Sequence, residues 1–280
     1  MRQVARCWLV WLLIASSGVA MATTAASSSG NLGMASEQIR ANLVTAQLEL
    51  SFDAAAAQAL VADSQRVFES TLRSKLETRD AQRIVAAFAV ADQAAQTGDE
   101  ASFARSRAAI WTALLGASYR NLLTSVQNND VSAANAWLGV REFRQATRFT
   151  TPQTDATLAL EGLSGKTTGV SVTDAKTAVR ADLLDTYQSR LVESLSDLET
   201  ALNRNYRVQA AEYASLARGY FSILEPSYAA QRGQAATANA TRAFLNLETK
   251  ASTQTLQAAR AALTGFRAAQ IGRASCRERV

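Results

Sequence analysis

The sequence predicts an all-α protein, built from antiparallel helices in one or two bundles with roughly eight helices in total. The chain of 280 residues is rich in alanine and leucine, and it contains only two prolines, Pro152 and Pro226. Alanine and leucine favour helices, whereas proline interrupts them. Apolar residues also recur at spacings of three and four, and no segment shows the alternation that is typical of a strand.

Residues 1–22 form a pattern that is typical of a secretory signal peptide. Arg2 and Arg6 supply a positive start, an apolar stretch follows, and residues 20–22 form an A-x-A cleavage site. We therefore expect the chain to be exported across the inner membrane. Residues 23–33 are small and polar, and they predict a flexible leader.

Residues 34–163 form the first predicted helical half. Residues 84–91 are apolar on every side, and they predict a short buried helix. Asp99 and Asp130 each precede a helical pattern, so each is expected to cap the helix that follows. One earlier helix has an apolar stripe formed by Val61, Phe68, Leu72 and Leu76.

Residues 164–270 form the second predicted half, and the loop from Gly162 to Val172 separates it from the first. A long helix follows this loop, with Thr173 or Asp174 as its expected N-cap. Pro226 lies within a later apolar pattern, where it either kinks the helix or starts a new one. The long helix has an apolar stripe formed by Leu184, Tyr187, Leu191, Leu195, Leu198 and Leu202.

A weak internal repeat leaves open whether the two halves are similar. The interval from Phe103 to Trp111 equals the interval from Tyr213 to Phe221. A duplication would give stacked helical hairpins. Chance similarity between two alanine-rich helices is the simpler explanation.

The last ten residues, 271–280, resemble one reading frame of a sequencing adapter rather than a protein segment. We therefore expect residues 271–280 to be an artefact tail and the natural reading frame to continue past Gln270.

The composition excludes several classes of function. The chain has no histidine, and its two cysteines, Cys7 and Cys276, lie in the predicted signal peptide and in the last ten residues. Catalysis by Ser-His-Asp or Cys-His groups is therefore excluded, and zinc, haem and iron–sulfur centres lack their usual ligands. We expect no enzyme and no bound cofactor. Only oxygen ligands remain for a metal, and ferric iron accepts these.

The net charge of +5 does not indicate nucleic-acid binding. The predicted signal peptide and the last ten residues each contribute about +2 to it, so the region between them is close to neutral. No nucleic-acid partner is expected.

The segment from Trp137 to Pro152 is the most unusual part of the sequence. Helical spacing would place Arg141, Arg144 and Arg148 on one face. Such a face could bind carboxylates, phosphates or a membrane surface. The alternative is a helix whose arginines pair with acidic residues of its neighbours. The candidate interaction face comprises Trp137, Arg141, Glu142, Arg144 and Arg148.

Two pairs of acids on the long predicted helix could hold iron transiently. Asp182 and Asp185 are three residues apart, and Glu193 and Asp197 are four apart. Acidic residues at these spacings are more often solvated or ion-paired. No metal ligand is therefore assigned.

Three stretches of sequence resemble a known family. They are WLGVREFRQATRFTTPQTDATLALEGL, LLDTYQSRL and AEYASLARGYFSILEPSYAAQRG. They resemble the extracytoplasmic N-terminal region of bacterial high-affinity iron permeases. The resemblance runs from about Asp99 to Gln270 and is most specific over residues 128–163.

The resemblance implies an iron permease whose membrane helices lie after Gln270. In the family, iron is carried by Arg-Glu-x-x-Glu motifs within membrane helices. Here Arg141 and Glu142 are followed by Phe-Arg-Gln, so the second acid is missing and Glu142 is not assigned as an iron ligand. The expected partners are iron ion, the permease domain of the same chain and a periplasmic protein. The expected location is extracytoplasmic, attached to the plasma membrane. The alternative is a secreted helical interaction or sensor module without a transport role.

Overall fold

The computed structural model describes residues 29–142, 155–253 and 257–264, and it confirms the predicted all-α fold class. The last of these ranges is itself helical. The longer helices are α1 Ser29–Glu49, α2 Ala54–Val67, α3 Thr78–Thr97, α4 Glu100–Gln127, α5 Val131–Leu138, α6 Ala156–Leu163, α7 Val172–Asn203, α8 Arg207–Arg232 and α9 Gln234–Thr253.

Aspartates and a serine fix where several helices begin. The carboxylate of Asp99 accepts a hydrogen bond from the Ser102 backbone amide, and Asp130 does the same for Ala133, as predicted. Such side chains satisfy amides that have no partner within the helix. The predicted cap of α7 was wrong by two or three residues. Its N-cap is Ser171, whose hydroxyl accepts from the backbone amide of Asp174.

The apolar stripes face the core as predicted. Helix α2 runs on through a π-helical turn, Phe68–Leu72, and a 3₁₀ turn, Arg73–Lys75. On the long helix α7, Tyr187, Leu198 and Leu202 are fully buried, and the other members of the stripe are partly buried. Burial of a continuous stripe is what stabilises a helix in a bundle.

Two local predictions were wrong. Residues 29–33, assigned to the flexible leader, form the start of α1, and Leu32 is buried in the core. Residues 84–91 belong to the longer helix α3 and are buried on one face only, since Ile84 and Phe88 are covered whereas Val90 is exposed. An all-apolar run of small residues does not show which of its faces the neighbouring helices will cover.

Helix α4 is the centre of the bundle. It packs against α3 and α5 of the first predicted half and against α7 and α8 of the second. The main core accordingly includes Leu32 from α1 and Ile223 from α8. The predicted boundary at residue 163 falls at the end of α6, but the helices on its two sides share one core. The two segments of the weak repeat lie on α4 and α8.

Pro226 neither ends α8 nor begins a new helix. Helix α8 is continuous from Arg207 to Arg232 and contains Pro226. None of the helices in the described part of the chain has the length and hydropathy needed to cross a bilayer.

Helices α4 and α8 pack closely together at Gly219. A Cβ atom added to Gly219 would overlap the side chain of Thr112 on α4. Gly116, on the α4 side of the same interface, has room for a Cβ, because its nearest neighbour would be Ile223 Cγ1 at 3.4 Å. The glycine at 219 is therefore required by packing, whereas the glycine at 116 is not.

We expect Gly219→Ala to lower the free energy of unfolding by about 1–3 kcal/mol, because the added methyl group forces α4 and α8 apart. Gly116→Ala is the matched control, and it should be neutral or stabilising by up to about 1 kcal/mol through helix propensity. Urea unfolding followed by circular dichroism measures both. Equal stabilities of the two variants would show that the helices do not meet at Gly219.

Candidate functional site

Helix α5 ends where its last turn meets α1. The C-cap of α5 is Gly139, and a Cβ atom on Gly33 of α1 would lie 3.0 Å from the carbonyl oxygen of Gly139. A side chain at Gly33 would therefore need the backbone at Gly139 to move by a few tenths of an ångström. The chain then leaves the helix at Val140, before the arginine-rich segment begins.

Trp137 and Arg141 of the candidate interaction face do not share one helix, because α5 ends at Leu138. Trp137 is buried in α5, and its carbonyl oxygen accepts a hydrogen bond from Ser118. Arg141 follows the end of the helix, and its guanidinium lies 3.2 Å from the Thr157 hydroxyl. Arg144 and Arg148 lie outside the described residues. The predicted arginine face therefore stays a prediction.

Glu142 is the centre of a buried polar cluster. Only 8% of its surface is exposed. Its Oε1 accepts hydrogen bonds from Trp111 Nε1 at 2.6 Å and from the Tyr220 hydroxyl at 2.8 Å. Its Oε2 lies 3.7 Å from Nε of Arg190. We call Trp111, Glu142, Arg190 and Tyr220 the Glu142 node.

The node joins three helices to the segment after α5. Trp111 lies on α4, Arg190 on α7 and Tyr220 on α8. A buried carboxylate is tolerated when its oxygens receive hydrogen bonds and a cation lies nearby, as they do here. Glu142 therefore fixes the position of the chain at residue 142, directly before the segment that contains Arg144 and Arg148.

Arg190 is shared between two acids. Its Nη1 lies 2.8 Å from Glu193 Oε2, in addition to its contact with Glu142. Partial burial acts to lower the pKa of Arg190, but the hydrogen bond to Glu193 and the charge of Glu142 outweigh it, so the pKa is raised. Arg190 remains a cation at any physiological pH.

Three tyrosine rings extend the node into the core. Tyr220 is stacked on Tyr187 with ring centroids 6.4 Å apart, and Tyr187 meets Tyr119 edge-on at 6.1 Å. Burial is the main cause that raises the pKa of Tyr187 and of Tyr220, followed by the negative charge of Glu142. The Tyr187 hydroxyl has no hydrogen-bond partner among the described residues.

A partly open cavity of about 240 Å³ borders the node. Helices α1, α4, α7 and α8 form its walls. Its charged and hydroxyl-bearing lining residues are Arg40, Arg107, Glu142, Arg190, Glu193, Ser194, Asp197, Glu212, Tyr213 and Tyr220.

Most charges around this cavity are already paired. Arg107 and Glu212 form an ion pair at 2.7 Å, and both side chains are largely buried. Arg40 lies over the Trp111 ring, 4.8 Å from its centroid, in a cation–π contact. The two acids of the predicted pair Glu193 and Asp197 both line the cavity.

The arrangement is suited to anchoring rather than to metal coordination. Within the described residues, no group of three or more aspartates, glutamates, histidines or cysteines could hold a metal ion. The other predicted acid pair has a structural contact, because Asp182 Oδ2 accepts a hydrogen bond from the Ala156 backbone amide at the start of α6.

The sequence pointed to Glu142 but not to its partners. Glu142 was included in the candidate face, whereas Trp111 and Tyr220 showed no signal beyond helical periodicity. Arg190 lies outside the apolar stripe of α7, although it reaches a buried carboxylate. An aromatic residue with a polar atom in a predicted core position was the available signal, since a buried Trp or Tyr usually has a hydrogen-bond partner.

The fold and the node define a helical-bundle domain that anchors an arginine-rich connecting segment. A family model described as "Iron permease FTR1 N-terminal domain" matches residues 31–269. The chain therefore belongs to the iron permease family and corresponds to its N-terminal domain. The match confirms the resemblance and extends it to the start of α1. No curated protein and no solved structure matches the chain.

We expect Glu142→Gln to lower the free energy of unfolding by about 1–3 kcal/mol, because the amide loses the charged hydrogen bonds and turns a donor towards the node. Glu193→Gln is the matched control. It removes a charge from the same Arg190, but 54% of the Glu193 side chain is exposed, so we expect a loss of about 0–1 kcal/mol. Urea unfolding compares the two. A small loss for both would contradict the anchoring role of Glu142.

We expect stability to fall as the pH rises above about 10. The raised pKa values of Tyr187 and Tyr220 keep their protons on the folded chain, whereas the unfolded chain releases them near the ordinary tyrosine pKa of about 10. Above about pH 10 the folded chain therefore binds more protons than the unfolded chain. The stability that the two protonated tyrosines contribute is complete below the tyrosine pKa of the unfolded chain and is lost as the pH rises above it.

Urea unfolding at about pH 9 and about pH 11 measures this loss. Tyr220→Phe should lose less stability over that interval than the unmodified chain, since one of the two phenols is gone. Tyr206→Phe is the control, because Tyr206 is exposed. An undiminished alkaline loss in Tyr220→Phe would show that this phenol does not contribute.

Proposed function

We propose that this chain is the extracytoplasmic N-terminal domain of an iron permease and takes part in iron ion transport across the plasma membrane. The family match over residues 31–269 is the observation that carries the proposal. The signal-peptide pattern of residues 1–22 supports export. Iron is the transported substrate, and the membrane segment that moves it lies beyond Gln270 in the complete protein.

The domain acts by presenting the segment from 143 to 154 to a partner. Both ends of this segment are fixed in the described residues. On the N-terminal side of the segment, Glu142 accepts hydrogen bonds from Trp111 and Tyr220. On the C-terminal side, the backbone amide of Ala156 donates a hydrogen bond to Asp182. The segment contains Arg144 and Arg148, whose guanidinium groups can bind carboxylates.

The partner is the permease part of the same chain or a periplasmic protein that delivers iron. The proposal gives the domain no catalytic role and no resident cofactor. Its contribution is to position the membrane part and the source of iron relative to each other.

We expect the double reversal Arg144→Glu and Arg148→Glu to reduce iron uptake by about ten-fold or more, because each new charge repels the acidic surface that the arginines bind. The measurement is uptake of radioactive iron by cells that carry the complete gene in place of the original copy. Arg66→Glu on α2 is the control, since Arg66 is an exposed arginine that pairs with Asp63 three residues away.

Alkaline phosphatase fused after Gln270 reports export, because this enzyme folds only where disulfides form. The proposal is supported if the fusions of the double reversal and of Arg66→Glu are both active and only the double reversal loses iron uptake. Normal uptake with active fusions would support the secreted interaction or sensor module instead. Inactive fusions of the unmodified chain would contradict the extracytoplasmic location.

A further inference from the structure

A second cleft lies between α3, α4, α8 and α9, and four arginines line it. Its volume is about 600 Å³. Arg79 and Arg83 come from α3, Arg120 from α4 and Arg218 from α8. We call this site the arginine cleft. It shares no lining residue with the cavity beside Glu142.

Two of the four arginines have acidic partners. Arg120 binds Asp80 in a two-pronged contact, with Nη2 2.6 Å from Oδ1 and Nε 3.2 Å from Oδ2. Arg218 forms an ion pair with Glu248, which is buried. The carboxylates of Asp80 and Glu248 are therefore already engaged.

Arg83 has no such partner. Within the described residues it forms no ion pair and no hydrogen bond, and the same holds for Arg79. The pKa of Arg83 is lowered, first by partial burial of its guanidinium and then by the positive charges of Arg218 and Arg120. Asp80 offsets only part of this effect. An anion bound at Arg83 would offset its repulsion by Arg218 and Arg120, whose own carboxylates are already engaged.

The rest of the lining limits what can bind. Glu77 and Glu225 also line the cleft, and Glu225 accepts a hydrogen bond from the Thr241 hydroxyl. Phe221 and Phe244 supply an apolar wall, with their rings stacked at 4.6 Å between centroids. A ligand must therefore be small enough to reach Arg83 without placing its charge against the two glutamates.

We propose that the arginine cleft is a binding site for a small oligoanion bearing carboxylate or phosphate groups, held by Arg83 together with Arg120 and Arg218. The planar guanidinium groups match the oxygens of both anion types in two-pronged contacts. Arg83 provides the contact that is not already engaged, and Arg120 and Arg218 lie beside it with their charges partly offset by Asp80 and Glu248. The inference does not depend on the role in iron transport.

Isothermal titration calorimetry on the purified chain tests this site, with citrate as the carboxylate probe and pyrophosphate as the phosphate probe, in metal-free buffer. We expect saturable binding of at least one probe, and the tighter one identifies the source of the ligand. Arg83→Gln should weaken that binding by about ten-fold or more, since it removes one charged two-pronged contact. Arg83→Lys should give an intermediate affinity, because lysine keeps the positive charge but cannot form the two-pronged contact of a planar guanidinium.

Arg66→Gln is the matched control, because it removes an exposed arginine outside the cleft. It should leave the affinity unchanged. Thermal unfolding gives a second readout. Arg83→Gln should be at least as stable as the unmodified chain without anion, since it relieves repulsion. The tighter probe should raise the melting temperature of the unmodified chain but not that of Arg83→Gln.

Three results would overturn the inference. The first is the absence of saturable binding of either probe at millimolar concentration. The second is equal affinity of Arg83→Gln and Arg66→Gln for the tighter probe. The third is that the tighter probe raises the melting temperature of the unmodified chain and of Arg83→Gln by the same amount.

Discussion

A carboxylate buried in the centre of a helical bundle destabilises the fold unless its oxygens are hydrogen-bonded and its charge is balanced. Glu142 meets both conditions, through the indole of Trp111, the hydroxyl of Tyr220 and the guanidinium of Arg190. These three partners come from α4, α8 and α7, so the requirement of one side chain fixes the relative positions of three helices. The close contact of α4 with α8 at Gly219 reinforces the same arrangement. The position of the chain between the end of α5 and residue 142 depends on the same contacts of Glu142.

The cavity beside Glu142 and the arginine cleft differ in how their charges are balanced. Beside Glu142, each arginine has a partner: Arg107 pairs with Glu212, Arg190 is shared by Glu142 and Glu193, and Arg40 lies over the Trp111 ring. Such a balanced set holds helices together and offers little net attraction for an ion. In the arginine cleft, Arg83 lies near two other arginines without a carboxylate of its own. The first arrangement is therefore suited to structure, and the second to binding.

Features that depend on neighbouring residues of one helix could be predicted from the sequence, whereas contacts between helices could not. The stripe on α7 and the caps Asp99 and Asp130 were predicted correctly, because each depends on residues within a few turns of the same helix. The candidate face was predicted as one helix because the spacing of Arg141, Arg144 and Arg148 fits one. Local spacing contains no information about Gly33, whose contact with Gly139 accompanies the end of α5. Glu142 was selected for its place in a motif, and its burial was not foreseen.

The sequence by itself determined the all-α class, the faces that most helices bury, the absence of histidine chemistry and the membership of the iron permease family. It could do so because composition and periodicity act over short distances, and a family match uses the whole chain at once. Only the tertiary structure decided that the two predicted halves share one core, that Glu142 is an anchor and that four arginines line one cleft. Trp111 and Tyr220 are 31 and 78 residues from Glu142 along the chain. Contacts over such distances arise from how the helices pack, and helical periodicity does not specify which helices will be neighbours.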